Sequence, residues 1–162
     1  MTTKKLPSTA VGRRRLLKLA GLLEADAKNK KGIKFDLGTW AKPASLDYGA
    51  QYASAKEATA PAYDCGTAAC AVGLALVSGA FVREGLTIAA KKWSLYRTDD
   101  FIAVPKFGRL REFSAVNKFF ALTKDQSGFL FQPYAYRNTK GAAAERAVAK
   151  RIRDFVAGKA AP

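Results

Sequence analysis

Cys65 and Cys70 invite a chemical reading first. They are the only two thiols of the chain, and they stand close together in Asp64-Cys65-Gly66-Thr67-Ala68-Ala69-Cys70-Ala71-Val72-Gly73. Within one regular helix, such a five-residue step separates side chains by about 140°. The sulfurs converge only if Cys65 precedes the helix cap and Cys70 lies in the first turns. Three readings stay open. The pair are structural thiols packed against neighbours. They form a local disulfide or redox pair at a helix N-terminus, where the dipole favours thiolate. Or they supply half of a metal site completed by another subunit. The redox reading is weakened by the absence of Cys-x-x-Cys. The metal reading falls short of the usual four zinc ligands, so no metal and no cofactor are expected.

The chain has no histidine, which excludes a serine–histidine triad and removes the commonest general base. Cys65-Gly66-Thr67 lacks the pattern and the lysine of a phosphate-binding loop. Asp64 or Thr67 therefore reads as a helix cap, Gly66 as a turn, and Gly73 as a point of close helix packing.

The second chemical feature is charge. The 162 residues carry 28 Lys and Arg against 13 Asp and Glu, a net of +15. Residues 1–34 contribute +8, residues 35–90 contribute −2 and residues 91–162 contribute +9. A near-neutral centre between basic ends suits a polyanionic partner. The candidate phosphate contacts are Lys4, Lys5, Arg13, Arg14, Arg15, Lys18, Lys30 and Lys31 near one end, and Arg146, Lys150, Arg151 and Arg153 near the other. Tyr134 and Tyr136, beside Arg137, are able to stack on bases, although core packing is the stronger reading for them. No zinc finger or aromatic RNA-binding sheet motif is present.

These residues need elements to position them. Residues 1–10 read as a basic arm, 11–158 as one compact domain and 159–162 as a tail. Ser8 or Thr9 caps a helix to about Ala27, with Leu16, Leu19, Ala20 and Leu23 on one face. Ile33, Phe35 and Leu37 alternate as a short strand. Residues 42–63 read mainly as loop, with a helical turn near 53–58. The central helix runs from Asp64 or Thr67 to about Ser78. Trp93, Leu95 and Arg97 alternate as a strand would, and 101–105 reads as an edge strand ending at Pro105. A helix spans 112–122, and Thr123 with Gln126 forms a capping box for the next. Asn138 or Thr139 caps a last helix to about Ala157, buried through Ala143, Ala147, Val148, Ile152, Phe155 and Val156.

Three segments resemble a family of small uncharacterised bacterial and phage proteins: Phe35-Asp36-Leu37-Gly38-Thr39-Trp40, Cys65 to Gly73, and Ala115 through Pro133 with its Phe119-Phe120 pair and Leu130-Phe131-Gln132-Pro133. Its members carry Phe-x-Met-x-Thr-Trp, Cys-Gly-Thr-x-x-Cys-x-x-Gly and Leu-Phe-x-Pro. The chain departs at Leu37, where methionine is expected, and at Leu74, where a large aromatic is expected. The resemblance implies a soluble fold built around the cysteine helix and no assigned enzyme activity.

The expected fold is mainly α with some α+β character: a small helical domain around a central cysteine-containing helix, with one or two short strands. The expected function is a non-enzymatic basic protein that contacts nucleic acid through its phosphate backbone, of phage or mobile-element origin. Two alternatives stand beside it: a protein-interaction module (a virion component or an inhibitor of an acidic partner), and a thiol redox protein using Cys65 and Cys70. Arg13-Arg14-Arg15 before Leu16-Leu17 resembles a twin-arginine export signal, but Glu24 and Asp26 stop its apolar part. A cytoplasmic protein of a bacterial or phage-infected cell is therefore expected, with no membrane partner. The oligomeric state stays open.

Overall fold

The computed structural model describes residues 9–44, 52–93 and 100–162. Their order is α1 (Ala10–Asp26), β1 (Lys34–Phe35), β2 (Ala41–Pro43), α2 (Ala55–Ala58), β3 (Thr67–Ala69), α3 (Ala71–Val77), β4 (Leu86–Trp93), β5 (Asp100–Phe107), β6 (Leu110–Arg111), α4 (Glu112–Phe120), α5 (Lys124–Phe131) and α6 (Gly141–Val156). Among the described residues, six helices and two three-stranded sheets make this an α+β fold, which corrects the expectation of a mainly helical domain with one or two short strands.

The correction is sharpest at the cysteines. The expected central helix from Asp64 or Thr67 is instead a turn, a strand and a short helix. Thr67–Ala69 lies between two partners, parallel to β1 (Phe35↔Ala69) and antiparallel to β2 (Ala41↔Ala69, Pro43↔Thr67). Ladder pairing on both sides overrides the helix preference of alanine, since propensity is a weak prior against tertiary context. Cys65 sits in the preceding turn, and Cys70 is the N-cap of α3, where its Sγ accepts from the Gly73 N–H at 3.4 Å.

The first helix follows the periodic pattern. Thr9 caps it by accepting from the Gly12 N–H at 2.9 Å, and Leu16, Leu19, Ala20 and Leu23 are fully buried. Ile33, Phe35 and Leu37 are buried and Lys34 is exposed, as alternation requires. In the second sheet β4 and β5 pair antiparallel along their whole length, from Leu86↔Phe107 to Trp93↔Asp100. The alternation reaching Leu95 and Arg97 falls outside the described residues. Segment 101–105 belongs to the middle strand of this sheet, not an edge. Pro105 is tolerated there because β6 pairs only with Lys106 and Phe107.

Phe119 and Phe120 of α4 meet Phe81 edge-on at 5.4 and 6.1 Å, and Phe120 also contacts Phe131 of α5. Edge-to-face pairs add about 0.5–1.5 kcal/mol beyond burial. The Thr123/Gln126 capping box starts α5. The stripe of α6 is one register away from expectation. Ala144, Val148, Ala149, Ile152 and Phe155 are buried, while Ala143 and Ala147 are exposed. The helix begins at Gly141 with Lys140 at the cap, so neither Asn138 nor Thr139 sets its phase.

Gly73 lies directly against the Trp40 backbone. A Cβ there would overlap the Trp40 carbonyl oxygen and press within 2.8 Å of the Ala69 Cβ. Gly73→Ala is expected to destabilise the fold by about 3 kcal/mol, because backbone rather than a flexible side chain must move. A urea titration with a midpoint unchanged from the parent would refute this.

Candidate nucleic-acid interface and aromatic cleft

The expected basic contacts divide into three groups. Lys4 and Lys5 lie outside the described residues. A second group makes contacts within the chain, although Arg14, Lys18, Lys150 and Arg153 are still exposed. Arg14 and Arg15 of α1 share Glu84 at 2.9 and 2.7 Å, which holds the Glu84 carboxyl below its usual range, Arg15 contributing most. Arg15 also donates to the Phe119 carbonyl at 2.7 Å and lies 4.0 Å over the Phe119 ring. Lys18 donates to the Ala80 carbonyl at 2.6 Å. On α6, Arg151 donates to the carbonyls of Phe129 and Ala135 and stacks 3.9 Å over Tyr136. Arg153 makes a two-pronged pair with Glu24 of α1 at 2.6 and 2.8 Å, and Lys150 pairs with Asp154 one turn on. Arg13 is half-buried.

The third group faces solvent: Lys30 and Lys31 in the turn after α1, and Arg146 on α6; Lys28 of the same turn, which was not among the expected contacts, is exposed as well. Tyr136 is half-buried under Arg151, its hydroxyl donating to the Leu130 carbonyl, whereas Tyr134 is 82% exposed.

Next to these exposed cations in sequence stand two acids that the charge pattern does not single out. Asp26, the last residue of α1, is buried, and so is Glu145 of α6. Asp26 Oδ1 accepts from the Tyr63 hydroxyl at 2.9 Å. Asp26 Oδ2 and Glu145 Oε1 have no hydrogen-bond partner among the described residues. Two buried acids so placed oppose a second negative charge. Burial, then the adjacent Asp26 charge, pushes the Glu145 carboxyl up to about 9; Arg146 opposes the shift. The sequence does carry a signal for both acids. Asp26 continues the Leu19–Leu23 stripe and Glu145 falls in phase with Val148, Ala149 and Ile152, so each occupies an inward position of its helix.

The thiols are free, Cys65 exposed and Cys70 buried. Burial pushes the Cys70 thiol up to about 11, so it is neutral near pH 7 and a poor nucleophile. Among the described residues no three His, Cys, Asp or Glu side chains are grouped to hold a metal ion, and no helix is long and apolar enough to cross a membrane.

Cys70 lines a cleft of about 600 Å³ between the two sheets. Trp40, which precedes β2, packs on Phe113 of α4 with ring centroids 4.8 Å apart. Trp93 at the end of β4, Tyr52 and Phe101 line it too, with Asp36 and Lys140 at its polar side. Tyr52 is fixed by backbone pairing to Phe101 at 2.8 and 2.9 Å, and is 8% exposed. Its hydroxyl has no hydrogen-bond partner, and burial pushes its pKa up to about 12.

Glu145→Gln tests the raised carboxyl. The folded carboxyl, near 9, lies above its ordinary value of 4.5. The stabilising effect of its proton is therefore complete below about 4.5 and lost progressively up to 9, at about 1.36 kcal/mol per pH unit. The glutamine variant should gain on the parent as pH rises, by up to about 4 kcal/mol by pH 7.5. A stability difference independent of pH between 5 and 9 would rule the raised carboxyl out. Thiol titration with an aromatic disulfide should register Cys65 quickly in the native protein and Cys70 only after unfolding. Compared with known proteins, the chain matches no family model, no curated protein and no solved structure.

Proposed function

We propose that the protein is a non-enzymatic, basic nucleic-acid-binding protein that contacts the phosphate backbone through the surface where α1 ends against α6. The observation that carries this reading is the Asp26–Glu145 contact. Lys28, Lys30 and Lys31 follow Asp26 in sequence and Arg146 follows Glu145, and all four are exposed. Exposed ammonium groups are strongly hydrated point charges that suit sequence-independent phosphate contact. Tyr134 adds an exposed ring for base stacking.

Binding of labelled duplex and single-stranded oligonucleotides across a salt series tests the reading. The logarithm of the association constant should fall linearly with the logarithm of salt concentration. Replacing Lys30, Lys31 and Arg146 together by alanine should reduce the slope by about 2–3, roughly one for each phosphate no longer neutralised. No binding at low salt, binding without a salt slope, or an unchanged slope in the triple variant would sink it. Equal competition by polyglutamate at matched charge would favour an acidic protein partner instead.

A further inference from the structure

Strand pairing near the start of α1 gathers a second set of cations, which the fold leaves unneutralised. Lys106 of β5 lies directly opposite Arg111 of β6, with Thr87 of β4 on its other side. Cross-strand partners project from the same face of a sheet, and like charges so placed repel. The two-residue turn between β5 and β6 carries Arg109, and Lys106, Arg109 and Arg111 are all exposed. Arg83 is exposed in the turn before β4, and Gly85 of that turn lies against the Phe107 ring. Among the described residues no carboxylate pairs with any of these four cations. The neighbouring acids are taken. Glu84 is shared by Arg14 and Arg15, and Glu112 gives both oxygens to Lys91 at 3.0 and 3.1 Å. Arg111 is also the N-cap of α4, where its side chain makes no capping bond. A cation is unfavourable there, at the positive end of the helix dipole. A bound polyanion relieves both repulsions, and guanidiniums that the fold does not hold can grip phosphate through paired hydrogen bonds.

We propose that the β5–β6 hairpin is a second phosphate-contact surface, so that one chain holds two segments of nucleic acid together. This rests on the phosphate-backbone reading of the α1–α6 surface. The two surfaces are set apart by α1. The Phe107 ring lies 5.9 Å from the Arg15 guanidinium, whereas Lys30 and Lys31 follow Asp26, roughly 16 Å further along the helix axis. A duplex fixed to beads is mixed with a dye-labelled duplex and the protein at about 0.1 M salt. The Debye length there is about 10 Å, so the two surfaces act separately. The parent should retain dye on the beads, with a maximum at intermediate protein concentration, because excess protein occupies each duplex singly. Replacing Lys106, Arg109 and Arg111 together by alanine should abolish retention while single-duplex binding by the α1–α6 surface persists. That variant should unfold at no lower a urea concentration than the parent, since the Lys106–Arg111 repulsion is gone. Duplex binding without dye retention by the parent, or equal retention by the variant, overturns the proposal and leaves the α1–α6 surface standing. A parent that sediments alone as a dimer, with a monomeric variant, also overturns it, since two copies would then hold one duplex each. No duplex binding at all removes both readings.

Discussion

The backbone of Trp40 lies against the first turn of α3, and much of the molecule follows from that contact. Only a residue without a Cβ fits at position 73. The Cys70 N–H donates to the Thr39 carbonyl at 2.8 Å, and the Ala44 N–H donates to the Gly66 carbonyl at 2.8 Å. Segment 39–44 is thus strapped along β3 and across the start of α3. That strap makes β3 a central strand, ends it where the helix must begin, and leaves Cys70 as the cap. It also sets the Trp40 ring over Phe113, so the same constraint that builds the first sheet shapes the cleft.

How far the sequence foretells this depends on whether an element carries its own period. The stripe of α1, the alternation of Ile33, Phe35 and Leu37 and the Thr123/Gln126 capping box are local patterns, and each is present in the fold. Thr67-Ala68-Ala69 is too short to show a period, and it is a strand only because β1 and β2 flank it. β4 is hidden for a related reason. Its burial does not alternate, with Leu86 and Ala89 buried but Thr87, Ile88 and Ala90 all half-buried, so period-2 reasoning has little to detect. In α6 the alanine-rich start makes two adjacent stripes nearly equal in hydrophobicity, and the true one includes a glutamate. A charged residue in phase with an apolar stripe reads as surface until its partner is known. The unpartnered Tyr52 hydroxyl is a tertiary property that no local pattern encodes.

The basic residues also sort by chemistry, which the count of +15 does not show. The guanidiniums of Arg14, Arg15, Arg151 and Arg153 are committed to carboxylates, carbonyls and rings within the fold. A planar fork with several fixed donors satisfies two or three partners at once, and this suits it to cross-linking α1 to α4 and α6. The ammonium groups of Lys28, Lys30 and Lys31 stay in water. Part of the positive charge is therefore structural cement, and the share left for a partner is largely lysine.

Placing Asp26 and Glu145 inside sharpens that division. Two carboxylates at the end of α1 and the start of α6 would partly cancel the field of the lysine turn if they were exposed and ionised. Buried, the Glu145 carboxyl is pushed toward its neutral form, which lessens the negative charge at the start of α6. The arrangement costs stability, since burying ionisable groups is unfavourable even when they are paired. An apolar pair in the same stripe would pack more cheaply. It would also lose the Tyr63 hydrogen bond to Asp26, which ties the turn ahead of Cys65 to α1. The Asp26–Tyr63 hydrogen bond therefore adds a polar tie between the end of α1 and the segment leading into β3, beside the apolar core that α1 and α3 share.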